Sequence, residues 1–426
     1  MPRSLGSQLG LLRYVRGFRL LFLATLGSGI GTWLALVALQ VDIFERTHSP
    51  AWITALLVAD LLPMFTIGLL AGPLVDRLSR KRLMVYSDLV RFGAFCALPF
   101  THSPAQIVGL AAVVGLATGF FRPAVYAGVP NLVEERDLSN ANSLLQAIDN
   151  LTWAIGSIAG GLLVEANGPH LAYWINASTF LVSGVLIVRI PQRLLQAGRA
   201  VTRGHWRDLR DGFALVRSSR ALLTVLLAWN VAMLANAAIN VAEPFLAFDA
   251  FKSGRFGLGL LMGSAGFGLA VGAFMASQSI ERRGLANVYG ASLAMMALGI
   301  GAAAAAPNVW VAAACVILSG AGNGAAVVCN ALLVQRGAPD YLRGRAFTVL
   351  MSSNMAVLTI GMIAAARLTD AFGPRWMWAA AAVLSATAAL SGLFLARGVR
   401  QRQAALEPEP VLAVEAAGRP VRQRAL

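Results

Sequence analysis

The chain has 426 residues, of which 57% are hydrophobic and only 13% are charged. Soluble domains carry about 25% charged residues, so this composition excludes a soluble globular protein and indicates the lipid bilayer as the solvent. The formal net charge of +15 does not indicate a nucleic-acid partner. The basic residues fall mostly in predicted loops on one side of the membrane, where anionic lipid headgroups are the natural partner.

In chain order, twelve apolar segments have the length of a transmembrane helix. They cover residues 18–43, 51–74, 83–101, 105–130, 139–164, 169–190, 221–245, 256–280, 286–306, 308–334, 344–368 and 373–396. The first segment follows a basic N-terminus, but it is longer than the apolar core of a signal peptide and has no clear cleavage site. We therefore expect an all-α membrane protein with twelve transmembrane helices, the first of them uncleaved.

The positions of Lys and Arg predict the orientation of these helices. With the N-terminus inside, 28 of the 35 Lys and Arg residues fall in cytoplasmic segments and 5 in outer loops. Because cationic loops stay on the cytoplasmic side, we expect a multi-pass protein of the plasma membrane with both termini in the cytoplasm.

The basic segment 191–220 divides the chain into two sets of six spans. We expect an N-terminal bundle over 1–190, a connector with an interfacial helix over 191–220, a C-terminal bundle over 221–396 and a disordered cytoplasmic tail over 397–426. An offset of 204 residues, which places Asn150 on Asn354, favours two pseudo-symmetric halves.

The stretch GPLVDRLSRKRLM at 72–84 lies between spans two and three. Asp76 can accept hydrogen bonds from the free amides at the start of another helix, and the cationic run holds the turn on the cytoplasmic side. The stretch resembles the loop between helices two and three of the major facilitator superfamily, with Ser79 in place of the usual second glycine. We predict a gating loop that contains Gly72, Asp76, Arg77, Arg80 and Lys81.

This resemblance implies two six-helix bundles around a central cavity that opens to one side at a time. In the implied cycle, Asp76 meets the start of helix 11 near Arg343 and Arg345 when the inside is closed. Arg77 or Arg80 then binds an acidic residue, Glu134 or Glu135. Breaking these contacts opens the inner face.

Two further stretches, residues 119–143 and 339–347, resemble helix junctions of the superfamily branch that includes enterobactin exporters, also called transmembrane secretion effectors. On helix 5, residues 156–161 read GSIAGG and resemble the end of an antiporter motif, with Ser157 in place of proline. This motif implies export. The simpler interpretation is that small residues let membrane helices approach closely.

Charged residues at membrane depth are costly and mark candidate sites. Arg122 on helix 4 and Asp149 on helix 5 are close enough along the chain to pair. Either Arg122 holds an anionic group of the substrate, or Asp149 releases a proton when Arg122 engages it, or the pair is purely structural. Asp88 and Arg91, three residues apart, are expected to pair with each other or with the loop of Asp76, in a structural role.

Asp60 on helix 2 has no basic residue near it in the predicted arrangement. An isolated carboxyl at this depth can load a proton on one side and release it on the other. Asp60 and Asp149 are therefore the proton-coupling candidates. The alternative is that Asp60 faces a wet cavity and has no coupling role.

Neutral polar residues and a tryptophan lie on helices that line the central cavity in this superfamily. Apolar walls with a few fixed polar groups suit an amphipathic or aromatic substrate; hydrogen bonding between helices is the alternative role. Together with Arg122, the substrate-binding candidates are Trp33, Gln40, Asn236, Asn240, Asn323 and Asn330.

We expect a secondary active transporter that exports a small molecule such as a drug, siderophore or metabolite, with protons as the coupling ion and membrane lipids as partners. A lysophospholipid or other lipid carrier of the same fold is the main alternative, and a nutrient importer or a non-transporting sensor is a weaker one. No enzymatic activity, cofactor or metal site is expected, and the protein is expected to be a monomer.

Overall fold

The computed structural model describes residues 5–70, 78–195, 213–217, 219–338 and 342–406. Within these ranges, twelve helices are long and apolar enough to cross a membrane, which confirms the predicted fold class. They are α1 (Arg16–Thr47), α2 (Pro50–Leu70), α3 (Arg80–Ala97), α4 (Pro104–Gly128), α5 (Leu138–Asn167), α6 (Pro169–Val188), α7 (Arg220–Phe245), α8 (Gly254–Arg283), α9 (Leu285–Ala304), α10 (Val309–Gly337), α11 (Arg343–Phe372) and α12 (Pro374–Leu406).

A short helix, Leu5–Tyr14, precedes α1. We call the side of the bundle where α1 ends and α8 begins the far side. The side where α6 ends and α7 begins is the connector side. Neither name presupposes an orientation of the protein in the membrane.

Each half contains an equivalent junction between two of its helices, and the two junctions are 205 residues apart in the sequence. One junction is Gly168–Pro169, between α5 and α6, and the other is Gly373–Pro374, between α11 and α12. The two glycines have φ of 77° and 82°, a region that glycine adopts without strain. Proline is favoured at the first position of a helix, so each pair makes the same one-residue turn.

The same offset relates helix crossings inside the two bundles. Gly115 of α4 lies against the backbone carbonyl of Asp60 in α2, and Gly320 of α10 lies against that of Ala265 in α8. A side chain at either glycine would meet backbone, so these crossings depend on small residues. The offset of 204 expected from the sequence differs by one, because it relied on chance matches of identical residues.

The two halves contact each other through α5 with α8 and through α2 with α11. Where α5 and α8 cross, a Cβ added to Gly161 would lie 2.9 Å from the Cα of Gly259. The glycines at 156–161 therefore serve the close approach of two helices, as the simpler interpretation of that stretch expects.

Two predicted segments differ from the structure or extend beyond the part it describes. Helix α12 continues to Leu406, whereas disorder was expected from 397. Residues 397–406 are mostly Arg, Gln, Ala and Leu, which favour helix. Residues 407–426 lie outside the described ranges, and so does most of the connector. Its described parts include a short 3₁₀ turn at Gln192–Leu194 and a helical stretch at 213–217, within the expected interfacial helix.

Candidate functional site

An ion pair joins α4 and α5 in the N-terminal half. Arg122 donates a hydrogen bond of 2.6 Å to Asp149, and the hydroxyl of Tyr126 lies 3.3 Å from the same carboxylate oxygen. Asp149 is the twelfth residue of α5, about 16 Å along the helix axis at 1.5 Å per residue. The structure therefore forms the pairing expected for Arg122 and Asp149 and adds Tyr126 to it.

This polar triad is open to its surroundings. The side chains of Arg122 and Asp149 keep 49% and 38% of their accessible surface, unlike the buried Asp88–Arg91 pair described below. Charged groups at membrane depth face the interior of a bundle or a water-filled space. The triad is therefore accessible rather than enclosed within the bundle.

Two tryptophans lie one helical turn from the triad. Trp153 follows Asp149 by four residues, which places both on the same face of α5. Its ring stacks on that of Trp33 from α1, with 4.9 Å between ring centres and 13° between ring planes. The indole nitrogen of Trp153 is buried and has no hydrogen-bond partner among the described residues.

Trp153 also reaches the C-terminal half, since a Cβ added to Gly266 of α8 would lie 2.9 Å from its indole ring. Sequence reasoning named Trp33 but missed Trp153 and Tyr126. Both follow a charged residue by four positions, Tyr126 after Arg122 and Trp153 after Asp149, but this spacing alone does not distinguish them from other aromatic residues of apolar helices.

Asp60 is half-buried in α2. Within the described part of the chain, neither a hydrogen bond nor an ion pair reaches its carboxyl group, and burial is the only influence on it. The isolation that motivated the proton-coupling hypothesis is therefore present, while the coupling role stays a prediction.

The gating loop is only partly within the described ranges, since Gly72, Asp76 and Arg77 lie outside them. Arg80 donates to the carbonyl of Ala127 at the end of α4, at 2.5 Å. Lys81 donates to the carbonyls of residues 188 and 190, at 2.6 and 2.7 Å. Both cations thus bind helix C-termini, where the backbone carries partial negative charge.

The expected contact of Arg80 with Glu134 is absent from this conformation. Glu134 instead pairs with Arg136 at 2.8 Å. The guanidinium of Arg80 donates instead to the backbone carbonyl of Ala127, which lies in the same half. Ser79, the departure from the family loop, caps α3 by accepting a hydrogen bond from the Arg82 amide.

The neutral polar candidates are dispersed. Asn236 donates to its own helix at Ala232, and Gln40 is only 3% exposed. No hydrogen bond joins one of the candidates to another in the described ranges. The side chains without a described partner are those of Asn240 and Asn323, together with the side-chain oxygens of Gln40 and Asn330.

A second ion pair is fully enclosed between α3, α4 and α6. Arg91 donates to Asp88 at 2.5 Å, and Ser183 donates to the other oxygen of that carboxylate. The guanidinium also lies between the rings of Phe121 and Phe180, 4.1 and 4.5 Å from their centres. This geometry gives both charges partners inside the bundle and supports the structural role expected for the pair.

On the far side, charged residues tie the two halves together. Arg255 of α8 makes two hydrogen bonds to Glu45 of α1, at 2.6 and 3.0 Å, and a third to the carbonyl of Val164. Beside this ion pair, Phe44 stacks on Phe248 with 4.4 Å between ring centres. In this conformation the far side is closed where α1, α5 and α8 meet.

A hydrogen bond of 3.2 Å from Thr54 of α2 to the carbonyl of Met362 of α11 joins the halves at their second contact.

The residues that the structure describes contain no group of three or more His, Cys, Asp or Glu that could hold a metal ion.

Comparisons with known proteins agree with this arrangement. The chain is 26% identical to the multidrug efflux pump Tap of Mycolicibacterium fortuitum, over 83% of this chain and 89% of that protein. It is 24% identical to macrolide efflux protein A of Streptococcus pyogenes, over 79% and 85%. The solved structure of the nucleoside transporter NupG shares the fold, with a TM-score of 0.69 at 15% identity, over 90% of this chain and 99% of that chain.

A family model described as transmembrane secretion effector matches residues 9–419. Twelve apolar helices in two repeated halves, with relatives that are efflux transporters, identify a multi-pass membrane transporter. The chain belongs to the transmembrane secretion effector family of the major facilitator superfamily.

Proposed function

We propose that this protein exports an amphipathic small molecule across the plasma membrane in exchange for protons. The observation that carries the proposal is the accessible triad of Arg122, Tyr126 and Asp149, one helical turn from the stacked Trp33 and Trp153. Aromatic walls with a few fixed polar groups are typical of sites for amphipathic ligands. The efflux relatives support export as the direction.

The triad can couple substrate to protons through a single charge. Asp149 holds Arg122 while it is ionised, and a proton on Asp149 removes the charge that holds the guanidinium. Renewed pairing with Arg122 releases this proton, and the substrate then binds at the accessible, ionised triad. Proton and substrate thus occupy the triad in turn, as exchange requires. Asp60, isolated in α2, is the second candidate carrier.

The far-side contacts support alternating access by rocking of the halves. If the basic connector faces the cytoplasm, as the distribution of Lys and Arg predicts, the far side faces out. The conformation described here is then closed to the outside by the Glu45–Arg255 pair and the Phe44 stack. In the opposite conformation, Asp76 closes the inside against the start of α11.

Transport by purified protein in liposomes with an imposed pH gradient tests this function. The probes are radiolabelled erythromycin, ethidium and a fluorescent lysophosphatidylcholine. We expect accumulation of erythromycin or ethidium that an uncoupler abolishes, and its loss in Asp149→Asn. The matched control is Asp249→Asn, because Asp249 is exposed and has no described partner.

Accumulation that persists with the uncoupler present would exclude proton drive. Movement of lysophosphatidylcholine alone would favour the lipid-carrier alternative. If Asp149→Asn transports as fast as Asp249→Asn, the triad is structural and the proposed coupling is wrong.

A further inference from the structure

A buried acidic residue in the C-terminal half has no part in the proposed site. Glu243 lies near the far-side end of α7 and is 7% exposed. In the described ranges its carboxyl group has neither a hydrogen-bond partner nor an ion-pair partner. Burying an isolated carboxylate is strongly unfavourable, so this environment favours the neutral carboxylic acid.

The other carboxylates of the membrane-spanning helices differ in this respect. Asp42 accepts hydrogen bonds from Arg46 and Tyr173, at 2.6 and 2.9 Å. Asp88 and Asp149 each pair with an arginine. Glu243 combines deep burial with the lack of any described partner, whereas the isolated Asp60 is only half-buried.

Among the residues that the structure describes, no charged group neutralises Glu243. Helix α7 contacts α1, α2, α8, α10, α11 and α12, and none of their described charged side chains acts on Glu243. Three far-side cations are engaged elsewhere: Arg46 with Asp42, Arg255 with Glu45, and Arg375 with the carbonyls of Ala304 and Ala306. Lys252, in the loop before α8, is exposed. The remaining charged groups of these helices toward the far side are Asp60, Arg367 and Asp370, of which the last two are exposed.

The position of Glu243 links it to closure of the far side. Two residues later, Phe245 packs edge-on against Phe44 of α1, with 5.0 Å between ring centres, and Phe248 stacks on the same ring. The segment that carries Glu243 therefore belongs to the contact between the halves. Separation of the halves on this side removes the aromatic cover and admits water to the segment.

The helical spacing also places two amides on the face of Glu243. Asn236, Asn240 and Glu243 are separated by four and three residues, so they form one stripe along α7. The amide of Asn240 has no described partner. A polar stripe leads from the buried carboxyl toward the middle of the membrane.

We propose that Glu243 is a proton-binding site of the C-terminal half, protonated while the far side is closed and opened to water when the halves separate there. This inference rests on the proposed exchange of substrate for protons. It adds a further carrier, which lies in the half that contains neither the triad nor Asp60. One proton binds the carboxylate on the outside, and the neutral acid is stable during closure.

Glu243→Gln, which mimics the protonated side chain, tests the proposal with two measurements. Infrared difference spectra of purified wild type and Glu243→Gln at neutral pH report the carbonyl stretch of a protonated carboxylic acid. In liposomes, accumulation of radiolabelled erythromycin driven by a pH gradient is compared with exchange of the same probe without a gradient. Asp249→Asn, six residues along the same segment, is the matched control.

We expect an infrared band in wild type that Glu243→Gln lacks and Asp249→Asn retains. We also expect Glu243→Gln to lose gradient-driven accumulation while exchange continues. A wild-type spectrum without this band would show an ionised Glu243 and overturn the proposal. If wild type shows the band but Glu243→Gln accumulates the probe as well as wild type does, Glu243 is permanently neutral. That result would also overturn the proposal.

These outcomes remain separate from failure of the proposed function. Wild-type protein that accumulates no probe under a pH gradient contradicts proton-driven export itself, and the infrared band still decides whether Glu243 holds a proton. Elution and thermal unfolding of the variant in detergent verify that it is folded.

Discussion

Replacing Gly259 with alanine should open the far side. A Cβ at this position in α8 would lie 2.5 Å from the carbonyl oxygen of Ser157 and 2.6 Å from the Cα of Gly161 in α5. Both distances are below 3.0 Å, and Cβ atoms in proteins essentially never approach other heavy atoms so closely. Because the opposing atoms are backbone rather than flexible side chain, the two helices must move apart.

The magnitude follows from the cost of overpacking. Inserting a methyl group into a well-packed contact costs about 1–3 kcal/mol, which corresponds to a shift of about 5- to 150-fold in a two-state equilibrium. Alanine also favours helix over glycine by about 1 kcal/mol. That gain is the same in both conformations, because α8 is helical in each, so it leaves the conformational equilibrium unchanged.

Cysteine labelling measures this shift. Thr54 is 5% exposed and donates to the carbonyl of Met362 across the two halves. A Thr54→Cys variant without the native cysteines should react slowly with maleimide while the far side is closed. Adding Gly259→Ala should accelerate labelling by about 5- to 150-fold, in proportion to the open population.

The control is Gly93→Ala, because a Cβ at Gly93 has no atom within 4 Å. It tests for general effects of a glycine-to-alanine change in a membrane helix. Equal labelling rates in the Gly259 and Gly93 variants would refute the conclusion that the α5–α8 crossing controls closure.

Three further changes test the described contacts. Asp88→Asn leaves the Arg91 charge buried without its counter-ion and should cost about 3–5 kcal/mol of folding stability, measured as a lower unfolding temperature in detergent. Arg255→Gln removes the partner of Glu45 and should favour the open far side by about 1 kcal/mol or less, with faster maleimide labelling at low salt than for the intact pair. Trp33→Leu removes the stacking surface and should weaken binding of the aromatic probe ethidium by about 1 kcal/mol, read as a several-fold rise in the dissociation constant.

Much of the fold could be predicted because the bilayer imposes simple rules. A transmembrane helix needs about 20 apolar residues, so the twelve segments were recognisable from hydrophobicity alone. The ends were less certain. Helix α5 begins at Leu138 and α12 continues to Leu406, since polar residues at the membrane surface extend a helix without changing its apolar core.

The candidate site was only partly predictable. Arg122 and Asp149 stood out because charge is rare at membrane depth, and their adjacent helices made a pair reasonable. Tyr126 and Trp153 did not stand out, since aromatic residues are common in apolar helices. Their roles depend on which face of a helix meets its neighbour, and this depends on the rotation of α4 and α5 in the assembled bundle.

The proposed carriers are distributed unequally between two halves of similar architecture. Asp60 lies at a helix crossing whose counterpart in the other half has Ala265 at the equivalent position. The N-terminal half therefore holds the triad and Asp60, while Glu243 is the buried acidic residue among the described residues of the other half. The repeat thus places helices alike but not charges, and the proposed rocking of the halves exposes both sets of carriers in turn. The glycine contact between α5 and α8 fits this motion, since the two backbones meet there directly. The side-chain contacts that must separate on the far side include the Glu45–Arg255 pair and the aromatic packing around Phe44.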